Sequence, residues 1–87
     1  MHYVYILLSS KDDKLYIGYT NNLRERFKKH NAGKVLATKP RIPLKLIYYE
    51  AYLDEWDARE RELFFKSGWG RKYIQEKLAR TLVKAKI

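Results

Sequence analysis

Two runs of aromatic, aliphatic and β-branched residues open the chain: Tyr3-Val4-Tyr5-Ile6-Leu7-Leu8 and Leu15-Tyr16-Ile17-Gly18-Tyr19. Such side chains pack well on a pleated surface, so each run predicts a strand. The polar gap from Ser9 to Lys14 is short enough for a hairpin. Alternation along a strand puts Tyr3, Tyr5 and Leu7 on one face and Val4, Ile6 and Leu8 on the other. Tyr16 and Gly18 likewise share a face, and the hairpin can bring Tyr5 and Tyr16 side by side. Two adjacent phenols with a glycine beside one of them form either a surface that a ligand approaches closely or a cross-strand aromatic pair that only packs.

After the hairpin the period changes. Thr20-Asn21-Asn22 supplies helix N-cap residues, and Leu23 and Phe27, four apart, form a buried stripe. Arg26 and His30 lie beside that stripe, while Arg24, Lys28 and Lys29 take more exposed positions. The helix ends at Asn31-Ala32-Gly33, with Gly33 as its left-handed residue. Lys34 to Pro43 reads as a loop in which two prolines exclude helix and bias each preceding residue to extended geometry. Its Lys34, Lys39 and Arg41 suit a phosphate backbone or, equally, a solvated loop. Leu44 to Tyr52 is dense in strand formers. Asp54 then caps a second helix that stops near Ser67-Gly68. A third runs from Gly70 or Arg71 to Val83 on Tyr73, Ile74, Leu78 and Leu82. The order is β-β-α-β-α-α, an α+β fold with a three-stranded antiparallel sheet flanked by helices. No linker or repeat divides the 87 residues, so one domain spanning 1–87 is expected.

Composition narrows the chemistry. There are no cysteines, which excludes a disulfide scaffold and thiolate metal sites and fits a reducing cytoplasm; two histidines cannot build a three-histidine zinc site. No apolar run is long enough for a transmembrane helix, and the N-terminus lacks the basic and small-residue features of a signal peptide. The net charge of +9 is unevenly spread: residues 1–50 balance to +6, residues 51–65 to −3 and residues 66–87 to +6. A basic chain with interspersed aromatics has the electrostatic footprint of a polyanion-binding domain, although a basic pI can also serve solubility alone. Within the acidic island Glu62 stands apart. It is four residues from Ala58 and three from Phe65, along an apolar stripe, while Glu60 points to nearly the opposite face. A carboxylate beside a core needs a cation: a metal, or Lys66 one turn on.

The two strand motifs, with Tyr3-Val4-Tyr5 and Tyr16-Ile17-Gly18 as the triplets, resemble the GIY-YIG nuclease signature. Thr20-Asn21-Asn22-Leu23-Arg24-Glu25-Arg26 followed by His30 is similar to the family's first helix. Arg61-Glu62 with Lys66 and Gly68 is similar to its second-helix motif. The resemblance covers essentially the whole chain and is greatest to small stand-alone members related to the nuclease domain of the bacterial excision-repair UvrC subunit. It implies hydrolysis of DNA phosphodiester bonds with one divalent metal, Mg²⁺ or Mn²⁺, in DNA repair or recombination. Carried over, Tyr16 is the general base or water-positioning phenol, Tyr5 its companion and Arg26 the stabiliser of negative charge. His30 is either a proton-sharing neighbour of Tyr16 or a helix-face residue without a catalytic task. Glu62 holds the metal. Gly18, Arg24, Lys28, Lys39 and Arg41 bind substrate, with Gly18 allowing close backbone approach. A free phenol titrates near pH 10, so a base role at Tyr16 requires a neighbouring cation or a metal-bound water.

Three positions depart from the pattern. Tyr3 replaces the first glycine, Tyr19 stands where UvrC-type members carry lysine, and Tyr73-Ile74-Gln75 offers only Gln75 where some members place an asparagine. These departures keep open a nucleic-acid-binding module without catalysis, and the basic C-terminal helix keeps open a protein-interaction domain. A domain of this size is expected to recognise branched or damaged DNA with little sequence preference and to gain specificity from a protein partner.

Overall fold

The central strand carries the hairpin residues into the middle of the molecule. The computed structural model of the chain describes residues 1–86. Three strands, β1 (His2–Ser9), β2 (Leu15–Thr20) and β3 (Leu44–Tyr52), form one antiparallel sheet in the order β2-β1-β3. Tyr5 pairs with Gly18 on one side and Tyr49 on the other, and Leu7 pairs with Tyr16. Alternation then sorts the side chains as the sequence predicts. Tyr5, Leu7 and Leu44 face α1 (Leu23–Asn31), where Leu23 and Phe27 pack against them. Val4, Ile6 and Ile17 face the opposite layer, closed by Phe65, Ile74, Leu78 and Leu82. Each such side chain contributes roughly 1.5–3 kcal/mol by leaving water. No helix among the described residues is long and apolar enough to cross a membrane.

The caps explain the helix starts. Asn22 accepts from the Glu25 amide at 3.2 Å, and Asp54 accepts from the Trp56 amide at 2.8 Å to open α2 (Glu55–Lys66). Gly33 ends the first helical segment at φ +74°. Two expectations are corrected. The third helix is two helices, α3 (Gly68–Lys77) and α4 (Ala79–Ala85), broken at Leu78 (φ −108°, ψ 24°). Ile74, Leu78 and Leu82 recur every fourth residue, and four residues overshoot a full turn by about 40°. A straight helix would rotate Leu82 away from the core that Ile74 enters, and the break at Leu78 returns it. The Lys34–Pro43 loop also contains a 3₁₀ turn over Lys39–Arg41, with Pro40 in its first turn, where no amide is needed and the fixed φ suits the start. Lys39 thus escapes the extended bias, whereas Ile42, before Pro43, obeys it at φ −70°, ψ 151°.

The rotation of α2 is fixed on both sides. The Arg61 guanidinium donates to Glu50 on β3 at 2.9 and 3.3 Å and lies over the Phe65 ring at 4.6 Å. Tyr48 and Tyr52 donate to the same carboxylate at 2.7 and 2.6 Å. Toward β2, the Arg59 guanidinium stacks over the Tyr19 ring at 4.1 Å while donating to Glu55 at 2.7 Å. Glu62, following Arg61 in the chain, is thereby held half-buried with its side chain 18% exposed.

Candidate active site

Tyr5 is the centre of the cluster because β1 is the middle strand. Its side chain is fully buried on the α1 side of the sheet. There is room for it because residue 18 has no side chain: a Cβ on Gly18 would overlap the Tyr5 hydroxyl oxygen and come within 2.5 Å of Cζ. The glycine of the second triplet is thus occupied from above by the tyrosine of the first. Gly18, expected from the sequence to allow close backbone approach, thus also gives Tyr5 its seat.

The Tyr5 hydroxyl meets His30 Nε2 at 2.7 Å, and His30 Nδ1 meets Thr38 Oγ at 2.7 Å. His30 and Thr38 are completely buried. The clamp between Asn31 and Leu44, whose side-chain amide donates to the Leu44 carbonyl at 2.9 Å and accepts from its amide at 2.8 Å, ties the ends of this loop together over the pair. Burial drives the His30 pKa down to about 4, aided by the Arg26 charge, so the imidazole is neutral. Burial likewise pushes the Tyr5 phenol up to about 12, although the facing Arg26 guanidinium pulls the other way; Tyr16 and the Glu62 carboxylate both add to the rise. Tyr5 is therefore a neutral hydroxyl across the physiological range. The half-buried Tyr16 ring lies 6.4 Å from that of Tyr5 and packs edge-on against His30 at 5.1 Å.

The fold brings Tyr5, Tyr16, Arg26, His30 and Glu62 into one neighbourhood. His30 is buried rather than on the helix surface; it packs against the Tyr16 ring, and its hydrogen bond goes to Tyr5. Thr38 escapes sequence reasoning altogether, since a loop threonine eight residues from His30 carries no periodic signal. The cationic candidates divide. Arg24 and Lys39 are exposed, and Lys28 is exposed with a loose 3.8 Å pair to Glu25. Arg41 is already engaged: it donates to Asp12 at 3.0 Å and to the Leu15 carbonyl at 3.4 Å, bracing the hairpin turn. Tyr19, at the lysine position, is held by His2 Nδ1 at 2.7 Å from its hydroxyl. Gln75 is exposed beside Arg41 and Arg71.

Glu62 accepts from Lys66 Nζ at 3.0 Å through Oε2. Among the described residues no group of three or more His, Asp or Glu side chains forms a ready metal cage. One hard carboxylate still suits Mg²⁺ or Mn²⁺, which keep most of their ligands as water and substrate oxygen. Glu62 thus offers such an ion a single carboxylate, which it shares with Lys66.

The model of the GIY-YIG catalytic domain matches residues 1–75. This chain belongs to the GIY-YIG family. A UPF0213 protein of Bacillus licheniformis is 44% identical over 81 residues, covering 87% of this chain and 81% of that protein. A UPF0213 protein of Clostridium perfringens is 46% identical over 67 residues, covering 76% and 71%. The solution NMR structure of a UPF0213 protein from Bacillus halodurans aligns with a TM-score of 0.53 at 35% identity, covering 86% of this GIY-YIG chain and 82% of that one. The α+β fold is thus shared with a small family of GIY-YIG proteins whose names specify no activity.

Proposed function

We propose that the chain is a divalent-metal-dependent endonuclease that hydrolyses DNA phosphodiester bonds. The observation that carries this reading is the convergence on Tyr5: two phenols and an imidazole packed ring to ring, with the opposite charges of Arg26 and Glu62 both acting on the Tyr5 phenol. Glu62 would hold one Mg²⁺ or Mn²⁺, which when bound polarises a phosphate oxygen and lowers the pKa of water. Arg26 faces the charge that develops on the phosphoryl oxygens, a role suited to a fixed guanidinium. Tyr16, the less buried phenol, accepts a hydrogen bond from the attacking water at its hydroxyl oxygen and takes the water's proton as its own hydroxyl proton passes to solvent. Tyr5 stays neutral, oriented by His30 and Thr38, and directs a hydroxyl dipole at the nucleophile or at a phosphate oxygen. Excess positive charge on both sides of the acidic island draws in the DNA. Branched or damaged DNA, with a protein partner adding specificity, is the substrate class we assign.

Nicking of supercoiled plasmid and cutting of a branched duplex with Mg²⁺ or Mn²⁺ test the proposal, comparing the wild type with Glu62→Ala. Loss of cleavage in the variant is expected, and equal cleavage by both proteins would sink it. The Lys66–Glu62 ion pair favours a second reading, a DNA-binding module whose carboxylate is neutralised from within. That reading predicts salt-sensitive, metal-independent binding unchanged by Glu62→Ala, with no cleavage by either protein.

A further inference from the structure

The α1 helix does not cover all of its face of the sheet. Beside its first turn lies an open groove of about 430 Å³, floored by Tyr3, Tyr49 and Phe27 and edged by Asn21 and Arg24. We propose that this groove is a nucleobase subsite, which takes one unstacked base of the bound DNA while Arg24 holds the adjoining phosphate.

Four observations point there. First, Tyr49 is 53% exposed although its backbone pairs directly with Tyr5, so an aromatic face is bare in a row of the sheet that is otherwise packed. Second, Tyr3 meets Tyr49 edge-on, with centroids 6.1 Å apart and planes at 63°. That edge fixes the Tyr49 ring and leaves a face for another flat ring, the arrangement by which nucleic-acid binders hold bases. Third, no carboxylate lines the groove, and Arg24 belongs to none of the ion pairs among the described residues, so its charge is available to a phosphate. Fourth, the exposed Asn21 places an amide, both donor and acceptor, at the edge where the polar rim of a stacked base would lie. The chemistry selects a base over an apolar side chain: three aromatic rings join Leu23 and Leu46 in the lining, Arg24 and the amides of Asn21 and Asn22 edge it, and the chain carries +9 overall. A base inside an intact duplex is already stacked and cannot enter, so the subsite acts where the strand is locally unpaired.

The assignment rests on DNA being the ligand of this GIY-YIG chain but not on cleavage, so its test is a binding measurement with metal chelated. Fluorescence anisotropy compares a short labelled single strand with an abasic strand of the same length and phosphate count. The wild type is expected to bind the base-bearing strand about tenfold more tightly, the scale of one stacked base. Tyr49→Ala should abolish that preference, and Tyr49→Phe should keep it, because the ring and not the hydroxyl does the stacking. Arg24→Gln should weaken both strands alike. A wild type that binds both strands equally, or a Tyr49→Ala protein that keeps the preference, overturns the subsite. If the preference is present and plasmid is still not cut, the subsite stands and the nuclease reading fails.

Discussion

Replacing Gly18 with alanine tests how the two signature triplets depend on each other. In an open strand this change would stabilise by about 0.4–1 kcal/mol, by restricting the unfolded chain. Here the new methyl would sit 2.5 Å from Tyr5 Cζ and 3.0 Å from Cε1, and nearer still to the hydroxyl oxygen. Ordinary carbon contacts need about 3.5–4.0 Å, so the ring must retreat by roughly 1 Å. It has nowhere to go: Tyr5 is 1% exposed and backed by Leu7 and Leu44. Overpacking of this kind costs about 1–3 kcal/mol. Displacing the hydroxyl also breaks its bond to His30 Nε2 and leaves a buried nitrogen unpaired, about 1–3 kcal/mol more. Set against the entropic gain, the net loss is about 1–5 kcal/mol, a large part of the stability of a domain of this size. Urea unfolding followed by far-UV circular dichroism measures it, and the thermal midpoint should fall by roughly 4–8 °C for each kcal/mol lost. Tyr5→Phe in the same background should recover only part of the loss, because Cζ remains too close. A Gly18→Ala protein as stable as the wild type, or more so, would refute the packing argument.

Three further outcomes are expected. His30 has a folded pKa near 4 against an ordinary 6.5, so between those values the unfolded chain binds a proton that the folded chain does not. Stability should therefore fall by about 2–3 kcal/mol as the pH drops from 6.5 to 4, and urea midpoints across that window should level out in a His30→Gln protein. Thr38→Val removes the partner of His30 Nδ1 and should cost about 1–3 kcal/mol, with Thr38→Ser near wild type; the imidazole ¹⁵N shifts should change in the valine protein alone. Lys66→Gln frees Glu62 Oε2 and should tighten Mn²⁺ binding severalfold in a titration, while unchanged affinity would mean that the exposed lysine does not compete with the ion.

The fold was largely legible because its signals are local. The hairpin rests on alternation, α1 and α2 on caps that touch amides two or three residues away, and β3 on an uninterrupted run of strand formers. What was not legible depends on contacts between distant residues. Arg41 looks like a free loop cation until the turn 29 residues earlier brings it Asp12. Nothing in the run of strand formers marks Glu50, yet four hydrogen bonds from Tyr48, Tyr52 and Arg61 make it the bolt between β3 and α2. The break at Leu78 has no glycine or proline to announce it; only the demand that Ile74 and Leu82 enter one core produces it.

The candidate site divides along the same line. Tyr5, Tyr16, Arg26 and Glu62 were nameable because they fall in motifs, but a motif does not distinguish the surroundings of the two phenols. Burial does. Tyr5 sits on the middle strand, roofed by α1 and seated on Gly18, with its hydroxyl bonded to His30, which Thr38 holds in turn. A hydroxyl so placed is a fixed dipole, since ionising it would put an anion in a nearly closed cavity. Tyr16 is on the edge strand β2, half-buried, with its ring packed against those of Tyr5 and His30. The positions in the sheet thus distinguish the two phenols: the central tyrosine is buried and hydrogen-bonded to His30, and the edge tyrosine is half-buried, which is why the proposed mechanism gives the proton transfer to Tyr16.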